Sequence, residues 1–222
     1  MESFSNLHKR IISASILIPV ILAITYIGGF IYNLTITIIA VMLTLEIILL
    51  FNNSKQLKLS NKLLAYITLY VALPTASLIS LRSLDAGIDI IIYLFALVWL
   101  TDIFAYFGGK NFGGPKLAES ISPNKTISGA ICAICAILIF SIITYFFTKE
   151  VNFFLFLFIS ILLSIISQIG DLFQSWVKRK LDVKDSGKLI PGHGGICDRI
   201  DGLLFVLPVA YIIFMLVKNN IF

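Results

Sequence analysis

Seven long apolar runs, each carrying few charges, constrain this chain more than anything else in it. They cover roughly 11–29, 33–51, 63–81, 87–107, 127–147, 152–169 and 203–217. A helix rises about 1.5 Å per residue, so runs of this length cross the hydrocarbon of a bilayer. Only helices and closed barrels satisfy every backbone group in lipid, and continuous apolar runs select helices. The expected fold class is therefore all-α: a polytopic integral membrane protein with about seven transmembrane helices. A composition that is 59% hydrophobic and 13% charged, with a mean hydropathy of +0.99, lies outside the range of soluble domains.

Charge placement sets the expected orientation. Of the 17 Lys and Arg, 14 fall in the N-terminal tail and the even-numbered loops, and 3 in the odd-numbered loops and the C-terminal tail. By the positive-inside rule this places the N-terminus in the cytoplasm. It also accounts for the net charge of +5, which in a soluble chain would suggest nucleic acid; none is expected as a partner. Residues 1–10 ahead of the first run resemble a cleavable leader. That run is too long, and no small-residue cleavage site follows it, so a retained first span is expected. No soluble domain, linker, low-complexity segment or internal repeat interrupts the chain. It reads as one membrane domain over 1–222. Residues 1–100 form N-terminal spans without assigned chemistry, and 101–222 a catalytic portion with loops at 108–126 and 175–201. Cys132 and Cys135 form a CxxC inside a span, read as a buried structural pair.

Most of the chemistry lies in residues 175–201, SWVKRKLDVKDSGKLIPGHGGICDRID. These 27 residues hold six Lys or Arg, four Asp, four Gly and one His. Asp171 lies at the end of the sixth run, Ser175 one helical turn on, and Lys178 and Arg179 a turn beyond. If the helix continues, they share a face offering a carboxylate and a hydroxyl to a metal, with cations for phosphate. A basic collar at a membrane boundary explains the lysines equally well, but not Asp171. Pro191 and the glycines around His193 exclude regular helix and leave N–H groups free to cradle a polyphosphate. Asp198 and Asp201, at i and i+3 around Arg199, present two carboxylates to one side of a starting helix. Together they suit Mg²⁺; one alone would merely complement the helix dipole. One His and one Cys in this loop do not make a zinc site.

The earlier loop, AYFGGKNFGGPKLAESISPNKT, holds four Gly and three Lys behind Asp102. Two readings stand for it: ordinary loop residues, or flexible backbone that approaches an anion closely. Glu46 lies deep in the second run, where ionisable groups face a partner inside the bundle; it is given a supporting role.

In these motifs the sequence closely resembles the phosphatidate cytidylyltransferases (CDP-diacylglycerol synthases). The pattern is Ser175, Lys178-Arg179, Lys184-Asp185, His193-Gly194-Gly195 and Asp198-Arg199-Ile200-Asp201. It is preceded by Asp102, Ala105-Tyr106, Gly109-Lys110, Phe112-Gly113, Lys116-Leu117, Ile121-Ser122-Pro123 and Lys125-Thr126. The resemblance spans roughly 102 to the C-terminus. Gly114 and Ser128 depart from it: relatives often carry Lys or Arg at the first position and an acidic residue at the second. Against longer relatives the chain is expected to lack N-terminal spans.

The resemblance implies CTP and phosphatidate as substrates, CDP-diacylglycerol and pyrophosphate as products, and Mg²⁺ with a second monovalent cation such as K⁺. Further implications are a homodimer and a bacterial inner-membrane location with the active site facing the cytoplasm. Asp171, Asp198, Asp201 and Ser175 are the expected metal site. Lys178, Arg179 and Arg199 are expected on phosphates, and His193 as an orienting or hydrogen-bonding group. Lys110, Lys116, Lys125, Lys184, Gly194 and Gly195 complete the substrate-binding set. Two rivals remain: a cytidylyltransferase acting on another lipid phosphate, and a polytopic transporter. The transporter predicts charge at the bilayer midplane and duplicated halves, whereas here charge gathers at one boundary.

Overall fold

The computed structural model describes residues 2–54, 60–148, 152–187 and 195–218, with side chains from residue 15 onward. Seven helices follow the seven apolar runs: α1 (Glu2–Ile27), α2 (Gly29–Asn52), α3 (Asn61–Arg82), α4 (Gly87–Phe112), α5 (Ile127–Thr148), α6 (Phe153–Lys180) and α7 (Cys197–Lys218). Helices α2 to α7 are each long and apolar enough to cross a membrane, and α1 contributes the apolar stretch Ser15–Ile27. The outward faces are apolar: Phe30 is 78% exposed and Phe147 85%, a pattern that lipid satisfies and water does not. The chain is a multi-pass membrane protein.

Two boundaries depart from expectation. Helix α4 runs through Gly108 and Gly109 to Phe112, five residues into the expected loop. Gly108 packs on Cys132 of α5 and leaves no room for a side chain, so there glycine serves helix contact rather than a break. A two-stranded antiparallel hairpin then forms from β1 (Lys116–Ala118) and β2 (Ser122–Thr126), pairing Lys116 with Thr126 and Ala118 with Ser122 across a bulge. The all-α description therefore holds for the spans, with this hairpin added. At the other loop, α6 continues past the apolar run to Lys180, as the DLFQSWVKRK segment allows, and α7 opens just before Asp198. Cys132 is half-buried and Cys135 exposed; both are free thiols, and the expected burial of the pair is not found.

The chain divides into two compact units. The first comprises residues 1–92 and 178–200. Within it Arg82 donates from Nε to the Thr25 carbonyl (2.6 Å) and from a terminal nitrogen to Tyr26 (3.1 Å). A cation thereby meets the unpaired carbonyls that end α1. Ser60 caps α3 by accepting from the Leu63 amide at 3.2 Å.

The second unit comprises 93–177 and 201–222. Its interior carries a ladder of small polar groups. Tyr93 on α4 meets Ser160 of α6 at 2.6 Å and Ser141 of α5 at 3.1 Å, and Thr101 meets Ser164 at 3.0 Å. Without a hydrophobic force between helices in lipid, small residues and interhelical hydrogen bonds supply the contact. Asn152 accepts from the amides of Phe154 and Leu155 and caps α6.

Candidate active site

In the second unit, α4, the hairpin, α5 and α6 enclose an open cavity of about 540 Å³. Asp102, Tyr106, Gly109 and Lys110 reach it from one face of α4, and Gly113 from the turn that follows. The hairpin adds Lys116, Asn124, Lys125 and Thr126, and α6 adds Gln168 and Asp171. Two helical glycines permit this convergence. A side chain at Gly129 would strike the Ala105 carbonyl, so α4 and α5 touch through backbone. At Gly170 a Cβ would stand 2.9 Å from the Asp201 carbonyl, so α6 and α7 approach equally closely there.

The turn out of α4 requires left-handed backbone, with φ of 61° at Gly113 and 97° at Gly114. Any residue bearing a Cβ is strained at the second value. Gly114 lines the cavity, so the departure from Lys or Arg there matches the path of the backbone. Ser128, the other departure, donates to the Gly113 carbonyl and shares a hydrogen bond with Thr126 at 3.0 Å. A carboxylate could not make that donation.

The expected residues of this region are brought together. Lys110, Lys116, Lys125 and Asp171 all line the cavity. Lys125 forms an ion pair with Asp171, its side chain 27% exposed and that of Asp171 30%. Asp102 and Asp201 both lie within electrostatic reach of Asp171 and Lys125. Asp201 also accepts from the Gly202 amide at 2.8 Å. Lys110 stands 5.9 Å from the Tyr106 ring centre, a cation–π contact. Ser175 follows Asp171 by one turn of α6 and is half-buried. Asp102, part of the motif but outside the expected site residues, also lines the cavity. Tyr106 and Thr126, likewise motif residues outside the expected site, line it too, whereas Gln168 carries no signal in its type or spacing.

The first unit holds a second polar cluster. Lys178, at the end of α6, donates to Asp198 at 2.7 Å, with side chains only 14% and 10% exposed. The other oxygen of Asp198 accepts from the amides of Ser186 (2.8 Å) and Gly195 (3.3 Å). Arg179 donates to the Val183 carbonyl at 3.0 Å. Lys184 and Arg199 are exposed. His193 and Gly194 lie outside the described residues.

Chemically, the cavity joins cations suited to phosphate with carboxylates suited to a hard metal. Among the described residues no three His, Cys, Asp or Glu side chains converge as a complete metal cage. Mg²⁺ does not require one, because it is usually held by one or two carboxylates with water and substrate phosphate filling the rest. Asp102 and Asp201 lie within electrostatic reach of Lys125 and of Asp171, and the three carboxylates leave an excess of negative charge; one or two such oxygen donors are of the type that ion takes.

Comparison with known proteins gives this geometry its context. The model of the cytidylyltransferase family matches residues 59–217, more than half of the chain and every expected site residue. The chain belongs to the cytidylyltransferase family. It is 36% identical to the phosphatidate cytidylyltransferase of Rickettsia bellii over 223 residues, 94% of this chain and 91% of that protein. It is 48% identical to the Brucella abortus protein of the same name over 126 residues, 57% of this chain and 47% of that protein. The Staphylococcus haemolyticus protein of that name is 47% identical over 128 residues, 57% of this chain and 49% of its own. The match thus spans about half the length of the Brucella and Staphylococcus proteins.

Proposed function

We propose that this cytidylyltransferase transfers CMP from CTP to phosphatidate, releasing pyrophosphate and forming CDP-diacylglycerol. The carrying observation is the cavity itself: Lys110, Lys116 and Lys125 stand around the same space as Asp102 and Asp171. The names of the three relatives supply the substrate pair.

The reaction is a direct displacement. An oxygen of the phosphatidate monoester bonds to the α-phosphorus of CTP, the bond to the bridging oxygen breaks, and pyrophosphate leaves with that electron pair. The monoester's second pKa is about 6, so the nucleophile is already a dianion near neutrality and needs no strong base. The obstacle is repulsion between two anions. Lys110, Lys116 and Lys125 oppose it by positive charge placed around the cavity. Asp171 with one neighbouring carboxylate, and Ser175 one turn on, would hold Mg²⁺ together with water and substrate phosphate. When bound, that ion neutralises phosphate charge and favours the leaving group. Asp198 keeps Lys178 oriented, and Arg179 and Arg199 add cationic charge.

The reading places the protein in the bacterial inner membrane with the site facing the cytoplasm, where CTP is available. The 14-to-3 division of basic residues supports that orientation. The test is incubation of purified protein with labelled CTP and phosphatidate, lipid extraction and product identification, with Mg²⁺ or chelator and with K⁺ or Na⁺. Labelled CDP-diacylglycerol is expected with Mg²⁺ and none with chelator. Undiminished turnover in chelator rejects the metal, and absence of a labelled lipid under every condition rejects the activity.

A further inference from the structure

Glu46 lies outside the region matched by the family model, yet it is 3% exposed and is the acceptor for three donors from distant chain. One oxygen accepts from the Ser186 hydroxyl at 2.5 Å and from the Cys197 amide at 3.1 Å. The other accepts from the Ile196 amide at 2.8 Å. The last two N–H groups belong to the opening of α7 and have no partner within the helix. A buried carboxyl group at a helix N-terminus, satisfied by two amides and a hydroxyl, is a strong anchor.

Two glycines are shaped around it. A Cβ on Gly187 would lie 3.1 Å from the Glu46 side chain, and one on Gly195 would overlap both Glu46 and Ser186. Glu46 thus touches the chain on either side of 188–194, the stretch in which the sequence carries His193 and Gly194. Ser186 connects Glu46 with Asp198: its hydroxyl binds Glu46 while its amide binds Asp198. Gly195, whose amide also binds Asp198, packs on Glu46 through its Cα.

We propose that Glu46 is a positioning residue for the reaction: it fixes the Ser186 and Gly195–Cys197 backbone that holds Asp198, and through Asp198 the Lys178 ammonium. The proposal rests on the cytidylyltransferase activity for its kinetic part only. Loss of this anchor leaves the substrate-binding lysines of the cavity in place, so kcat falls more than KM. Small displacements of catalytic groups lower rates by about 10- to 100-fold.

The test compares wild-type protein, Glu46→Gln and Ser186→Ala in detergent or lipid, by kinetics and by amide hydrogen exchange. Glu46→Gln turns an acceptor into a donor that faces an N–H. Its kcat should drop about 10- to 100-fold with KM for CTP within about threefold, and exchange should accelerate at 195–197 but not in α3. Ser186→Ala removes one of three donors and keeps both helix amides, so it carries the test if Glu46→Gln does not insert. A smaller fall in kcat with faster exchange confined to 186–197 is expected. Wild-type kcat in either folded variant, or exchange accelerated throughout the molecule, overturns the positioning role. A wild-type protein that makes no labelled lipid rejects the functional reading instead, and the exchange comparison at 195–197 still decides whether Glu46 anchors that turn.

Discussion

Lys125 and Asp171 are paired while each remains more than a quarter exposed, so their attraction adds at most about 1 kcal/mol to folding. A substitution there therefore reports on chemistry more than on stability. Lys125→Met should lower kcat/KM for CTP by about 100-fold or more with little change in thermal midpoint, measured by pyrophosphate release and by melting in detergent. Lys125→Arg, which keeps the charge but changes its shape, should recover only part of it. Asp198 is the poorer target. Its pair with Lys178 is half-buried and its other oxygen accepts two amides, so removing it would mix folding with function. Burial separates two aspartates that the linear motif presents alike.

At the scale of elements, hydropathy located the helices because a span needs a long run of apolar residues, and α2 to α7 have one. The hairpin was not legible: strands of three and five residues fall below any period, and its bulge breaks their alternation. Nor could composition tell that Gly108 and Gly109 sit inside α4, since a glycine pair also marks a loop. The α6–α7 approach at Gly170 is an element-level requirement for the site, because it brings the backbone of Asp201 beside the residue preceding Asp171. Gly170→Leu should force these helices apart, costing about 1–3 kcal/mol in stability. It should reduce turnover as well; unchanged melting and turnover would show that the approach is dispensable.

For the whole molecule, the membrane is the solvent that makes the exposed apolar faces stable, and under the proposed function sidedness decides whether nucleotide can reach the site. Under the proposed orientation Lys184, exposed in the loop after α6, lies on the cytoplasmic side. A Lys184→Cys variant, with the native cysteines replaced by serine, should react with a membrane-impermeant thiol reagent in inverted vesicles and not in intact cells. Labelling confined to intact cells would reverse the orientation.

Span number and the residue types of the site were set by the sequence alone, because lipid admits only long apolar helices and phosphate chemistry needs a few kinds of charged group. Which carboxylates work together was decided by tertiary structure. Glu46 and Ser186 are 140 residues apart yet share a hydrogen bond. Asp102 joins Asp171 across a cavity, and Asp198 turns to Lys178. Spacing along one helix constrains only neighbours within a few turns. Contacts between helices depend on where glycine and serine let backbones meet, and a single linear sequence does not display that pairing.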